Sequence, residues 1–228
     1  GPGAAGALQA LGAHAAACAD RLEAAGVTQM LHACGRAPEL RENGALVGAL
    51  LERARTLVPE SSPHSLSLLV HTCARLRERD VPLLTQVAKA VSPHVGQFNP
   101  QSLALTAHGF AKLEVRSEIL FYLLAAEMVD KMPLFTGRGV GMVLGAYGKL
   151  GIQNDKLVQA CKKQVRSLAH ELTHADVAAI EAGLRALGSL DATMEAQLRR
   201  VRRRLAEDGP RDGGASRRGA TAPGGDDE

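Results

Sequence analysis

The sequence predicts an all-α protein, an α-solenoid of about five stacked helical hairpins. Three observations predict it. The first is a repeat. Residues 98–134, FNPQSLALTAHGFAKLEVRSEILFYLLAAEMVDKMPL, return in the same grammar at 135–171, at 172–208 and, earlier, at 61–97, a period of 37 residues. A fixed period of this size marks stacked units rather than a closed globule. The second is spacing. Leu66, Leu69, Val70, Cys73 and Leu76 recur at helical intervals, and no stretch alternates with a period of two over a useful length. The third is composition. Apolar residues make up 46% and aromatics only 3% of the chain, so the core is mostly Ala, Leu and Val, which suits closely approaching helices.

The elements follow in order. The chain begins at Gly1 rather than Met, which reads as a processed, trimmed or cloned start. Residues 1–19 hold no Lys or Arg, unlike an Arg-rich transit peptide or a signal peptide with a basic front. Any targeting segment is expected to be removed or upstream. Residues 7–24 read as one Ala-rich helix, the cap of a lead-in over 1–23. The repeat domain is expected over 24–208, divided into 24–60, 61–97, 98–134, 135–171 and 172–208. The first copy is degenerate. Its His32, Cys34 and Arg36 match His71, Cys73 and Arg75 at a spacing of 39, whereas its second helix matches at 37. Two residues are therefore inserted between its helices, within 37–44.

Within each later copy, Ser62, Asn99, Thr136 and Thr173 are side chains that cap a helix start. Phe98, Phe135 and Leu172 precede the last three caps, and Leu66, Leu103, Val140 and Val177 lie four residues after them. That pairing is a hydrophobic staple. Pro63 and Pro100 occupy the first helical position, where a missing N–H costs nothing. Helix A then runs about 13 residues to Leu76, Leu113, Leu150 and Leu187. A short polar link leads to helix B, whose aligned apolar columns are Leu83, Leu120, Leu157 and Met194, and Val87, Leu124, Cys161 and Leu198. Neither helix buries its apolar side alone, so successive pairs must stack into one continuous core. Residues 209–228 are Gly-rich with both charge signs and are expected to form a flexible tail. No stretch approaches the roughly 20 apolar residues needed to span a bilayer, so no membrane partner is expected.

The formal net charge is only +3, so overall charge does not imply nucleic acid. Cys18, Cys34, Cys73 and Cys161 lack paired spacing and read as free thiols in a reducing compartment. Two local patterns resemble catalytic motifs. His170, Glu171 and His174 fit HExxH, yet the repeat register puts a helix cap at Thr173 between the two histidines, and no third ligand is evident. Gly137, Gly139 and Gly141 resemble a phosphate loop, yet they follow no strand and no Lys-Ser/Thr pair comes after them. With no catalytic constellation legible, the chain is expected not to be an enzyme and to need no cofactor or metal.

The face of helix A turned from the core is more informative. It carries His64, His71 and Arg75, then Gln101, His108 and Lys112, then Arg138, Gly145 and Lys149. The degenerate copy adds Gln29, His32 and Arg36, and the fifth copy shows only Ala175, Ala179, Ala182 and Ala186. No Asp or Glu interrupts this stripe in the first four copies. A row of cations, imidazoles and amides along stacked helices suits a phosphate backbone with splayed bases. The competing reading is a solvated helix face that simply carries Lys and Arg. Arg199, Arg200, Arg202 and Arg203, in the run closing the fifth copy, are further candidates for phosphate contact, and alternatively solvate the last helix or form a targeting signal.

Helix A of residues 98–113, with its Phe-Asn-Pro-Gln-Ser-Leu start and its Ala111-Lys112-Leu113 end echoed by Gly148-Lys149-Leu150, resembles the heptatricopeptide and octotricopeptide repeat proteins. These are relatives of the FAST-kinase-like and RAP-domain proteins of organelles. The resemblance covers 61–206 well and 27–60 weakly. It implies an organellar RNA-binding protein, most often mitochondrial and of the matrix, acting in RNA processing or stability or as a subunit of a ribosome. The few repeats and the lack of a recognisable RAP domain look more like a ribosomal subunit, a mitoribosomal protein binding rRNA beside neighbouring proteins of the ribonucleoprotein. A protein–protein scaffold in another organellar complex is the alternative of a different class.

Overall fold

The computed structural model describes residues 2–207. Among these residues there are twelve α-helices joined by short turns, four of them 3-10, and no strand, so the protein is all-α. The helices are α1 (Pro2–Ala17), α2 (Ala24–Arg36), α3 (Pro38–Arg41), α4 (Gly44–Leu57), α5 (Pro63–Leu76), α6 (Val81–Val91), α7 (Pro100–Lys112), α8 (Glu118–Lys131), α9 (Gly137–Leu150), α10 (Asp155–Ser167), α11 (His174–Ala186) and α12 (Ala192–Glu207). The tail expected over 209–228 lies outside the described residues.

Two local expectations are corrected. The N-terminal helix does not continue to residue 24. It stops at Ala17, Cys18 leaves the helical region, and a 3-10 turn at Ala19–Arg21 follows. Arg53 of α4 donates Nε–H to the carbonyl of Leu22 at 2.9 Å, which ties the chain down just beyond that turn. The excess between the first pair of helices is not a plain loop either. Pro38 opens the four-residue helix α3 there, and Arg41 returns a hydrogen bond to Gly35 O at 2.9 Å.

Two series of polar side chains start the helices. Ser62, Asn99, Thr136 and Thr173 accept from the backbone N–H three residues on, at the heads of α5, α7, α9 and α11. Asn43, Asp80, Asn154 and Asp191 do the same for Leu46, Leu83, Leu157 and Met194, at the heads of α4, α6, α10 and α12. A third series ends helices. Arg77, Glu114, Gly151 and Gly188 all hold φ near +60°, the left-handed conformation that turns the chain out of a helix.

These caps set a two-row arrangement. α2, α5, α7, α9 and α11 pack side by side in one row, and α6, α8 and α10 contact one another in the other. The close approach of the first row is made by small residues. A Cβ on Gly109 would come within 2.5 Å of Val70 Cγ1, and one on Gly183 within 2.7 Å of the Leu144 backbone. Between the rows, Phe98, Phe110, Phe121 and Tyr147 are fully buried. Tyr147 meets Phe121 edge-on at 5.0 Å and donates its hydroxyl to the Phe121 carbonyl at 2.6 Å, joining α9 to α8. Tyr122 is the exception among the aromatics, 71% exposed on α8.

Within a pair, the second helix is tied to the loop that leads into the first. Lys131 donates to Gly96 O and Phe98 O, Gln164 to Pro133 O and Phe135 O, and Arg204 to Ala169 O and Leu172 O. Cys34, Cys73 and Cys161 are buried and Cys18 partly so, all four as free thiols. Burial pushes the Cys73 and Cys161 thiols up to about 12, so neither supplies a thiolate at neutral pH. Among the described residues no helix is long and apolar enough to cross a membrane.

Candidate functional site

The stripe residues of the first row fall on one side of that row, but their states differ. His64 and Gln101 sit near the starts of α5 and α7 and are exposed. His32, His71 and His108 form an inner line across α2, α5 and α7, each half-buried. The Nδ1 atoms of His32 and His71 are buried without a hydrogen-bond partner. Burial first, then the charges of His108, Arg75, His32 and Lys112, lower His71 to about 4. His108 is lowered by burial and then by Lys112, Arg138 and Lys149, and His32 by burial and then by Arg36 and Arg75. The line is therefore neutral at pH 7 and lies among cations.

The cations are not all equally available. Arg36, Lys112 and Arg138 are exposed. Arg75 donates Nε–H and Nη2–H to the Gly35 carbonyl at 3.2 and 3.0 Å, which makes it a tie between α5 and α2 as well as a surface charge. Lys149 pairs with Glu114 at 3.2 Å. In the first four copies helix A holds no acid on this face, but the turn after α7 supplies one. The pair is solvent-exposed and worth little in water, so an anion of higher charge displaces it readily. In the closing run, Arg199 pairs with Glu195 at 3.1 Å, Arg202 with Glu181, and Arg204 holds carbonyls as described. Arg200 and Arg203 are exposed on α12. The run is thus partly structural, and α12 belongs to the pair partner of α11 rather than to the first row.

A groove of about 800 Å³ opens on the same side, across α7, α9 and α11. His108, Lys112, Arg138 and Lys149 stand around it, and Gly141, Met142, Gly145 and Ala146 of α9 form its floor. A second depression of about 580 Å³ adjoins it through Arg138 and Met142 and reaches Gln101, His71 and His32. Ten of the fourteen predicted site residues lie on the helices of this row, and seven of them line the joined grooves. The alanines of α11, at which the cationic stripe ends, are not idle: Ala175 and Ala179 form the far wall.

Several contributors escaped the sequence reading. Thr173 and Asp176 line the groove at the head of α11. Thr173 was legible as a cap; the reciprocal bond from Thr173 N–H to Asp176 Oδ2 at 3.0 Å makes a capping box, which Thr-x-x-Asp spacing signals. The Lys149–Glu114 pair bridges two copies at different repeat positions, so no column comparison reveals it.

The two catalytic look-alikes resolve into packing. His170 lies beyond the end of α10 and His174 is the first residue of α11, so the pair does not share a helix. Gly137 and Gly141 are inside α9, where a Cβ would come within 2.5 Å of Leu172 and 2.9 Å of Ala179. They let α11 approach. Among the described residues no group of three His, Cys, Asp or Glu side chains converges to hold a metal ion. What the surface offers chemically is fixed positive charge around an apolar floor, with uncharged imidazoles alongside. No family model matches the chain, and no curated protein matches it.

Proposed function

We propose that the protein is a non-enzymatic RNA-binding α-solenoid of about five hairpins with a period of 37 residues. In this reading it serves as a subunit of a mitochondrial ribosome in the matrix, where it binds and stabilises ribosomal RNA. The observation that carries the RNA reading is the continuous groove along the first row, with Lys112, Arg138 and Lys149 at its rim and His71, His108 and Gln101 along it. Phosphates of a single strand pair with the cations, while unstacked bases meet imidazoles, amide and apolar floor. The assignment to an organelle and its ribosome is supported by the resemblance of residues 61–206 to organellar repeat proteins.

The test replaces Lys112, Arg138 and Lys149 together by Glu, leaving Arg75 to its tie with Gly35. Binding of single-stranded RNA is expected to vanish while far-ultraviolet circular dichroism stays that of the wild type. For the wild type, three neutralised phosphates predict a log–log salt slope of about −2. Equal RNA affinity in the triple variant removes the reading. Recovery of ribosomal RNA with the protein from mitochondria tests the assembly.

A second reading, a protein scaffold, is favoured by α8. Ile119 and Tyr122 are 76% and 71% exposed there, on the row away from the groove. Such side chains suit a protein neighbour. The two readings are compatible in a ribonucleoprotein. Binding that survives high salt and is lost on replacing Ile119 and Tyr122 by Ser identifies the scaffold role.

A further inference from the structure

The groove over α9 has unlike ends. Lys112 and Lys149 stand at one end, where α7 and α9 finish, with Glu114 beside Lys149; Thr173 and Asp176 stand at the other, where α11 begins, with Arg138 at the start of α9. Between them the floor is lowest at Gly145. A Cβ there would meet nothing within 4 Å, whereas one on Gly141, a turn earlier, would come within 2.9 Å of Ala179. Gly141 is thus explained by helix packing and Gly145 is not. A glycine inside a helix costs about 1 kcal/mol relative to alanine, and no part of the fold uses the space gained. Gly44 and Gly48 of α4 are open in the same way; Gly145 differs in lying on the floor of a groove with charged side chains at both ends.

The ends say what kind of ligand. Two lysines take an anionic group. Asp176 is the one acid among the lining residues; its Oδ2 accepts from Thr173 N–H at 3.0 Å and from the Thr173 hydroxyl at 2.7 Å, and Oδ1 is the acceptor it has left. A carboxylate on a groove wall selects an N–H donor, as it does for the amino group of cytosine. A flat body fits between, on glycine and alanine. We infer that this groove seats one unpaired nucleotide of the bound strand, with its phosphate at Lys112 and Lys149, its base on the floor at Gly145 and an exocyclic amino group at Asp176. The inference rests on the RNA reading above and adds to it a place and a base preference.

The experiment compares oligocytidylate with oligouridylate, which differ at the pyrimidine edge that Asp176 faces. Wild-type protein is expected to bind oligocytidylate about tenfold more tightly. Gly145→Leu fills the floor without meeting protein atoms; it is expected to lower oligocytidylate affinity about tenfold and to melt no lower than wild type. Asp176→Asn, which keeps an acceptor for Thr173, is expected to erase the preference while retaining oligouridylate binding. Equal wild-type affinity for the two oligomers overturns the seat, as does undiminished oligocytidylate binding by a folded Gly145→Leu. Where those results come with steep salt dependence in the wild type, the RNA reading stands without the seat. Wild-type protein that binds neither oligomer overturns both.

Discussion

His71 shows what helical spacing conveys and what it does not. Spacing along α5 puts it in line with His108 and Arg75, and the charges of both act on its ring. Spacing does not report depth, and depth makes His71 neutral, with burial the leading cause and the surrounding cations the next. The consequence is a pH-dependent stability whose sign is fixed. An unfolded imidazole titrates near 6.5 and the folded one near 4, so between these values the unfolded chain binds more protons. Stability is therefore full above about pH 7 and is lost as pH falls toward 4. Leu in place of His71 removes both the titration and a buried Nδ1 that lacks a partner. The His71→Leu protein is expected to melt near wild type at pH 7.5 and to lose less on acidification. Thermal melts across this pH range check it, and an unchanged acid slope rejects it. The same limit of sequence spacing hid Arg75. Its identity announced a cation, but its two bonds to Gly35 depend on how closely α2 and α5 approach.

Among the elements, both ends of the first-row helices were legible, though by different signals: the predicted ends Leu76, Leu113, Leu150 and Leu187 are each the last helical residue or the cap just after it. A start is marked by a side chain that must accept a hydrogen bond, so Ser62, Asn99, Thr136 and Thr173 stand out as one chemical class. An end is marked by a backbone conformation. Gly151 and Gly188 advertise it, but Arg77 and Glu114 adopt it at the same places without the usual residue. The second set of caps, Asn43, Asp80, Asn154 and Asp191, read only as polar links, although with Ser117 they recur every 37 residues as cap-forming types; Ser117 alone makes no cap bond. The strained ends carry a prediction. A non-glycine residue held at φ of 57° costs about 1 kcal/mol or more. Glu114→Gly and Arg77→Gly are each expected to raise stability by about 1 kcal/mol in denaturant melts. Only Glu114→Gly also removes the acid beside Lys149, so only it is expected to tighten RNA binding, on the reading proposed above. Equal effects of the two variants on RNA affinity would show that the Lys149–Glu114 pair is irrelevant to the groove.

At the scale of the molecule, the inner first-row helices α5, α7 and α9 each pack on two neighbours in that row, which suits a stack more than a single closed core. In a stack, stability is a sum of units and of the contacts between neighbours, so a local fault stays local. Gly183 is the place to test this. A Cβ there would lie 2.6 Å from Leu144 Cβ and 2.8 Å from Gly145 N, and backbone atoms do not yield as a flexible side chain does. Gly183→Ala must therefore push α11 away from α9, a contact that also forms the far wall of the groove. On the stacked reading, amides of α11 and α12 lose hydrogen-exchange protection while those of α5 and α7 keep theirs. A single cooperative core predicts that all four helices lose protection together. Gly145→Ala serves as the control, since its added methyl meets no protein atom and improves helix propensity. Uniform loss of protection in Gly183→Ala would reject the stack while leaving the helices and their caps as described, because those depend on local bonds rather than on how the rows communicate.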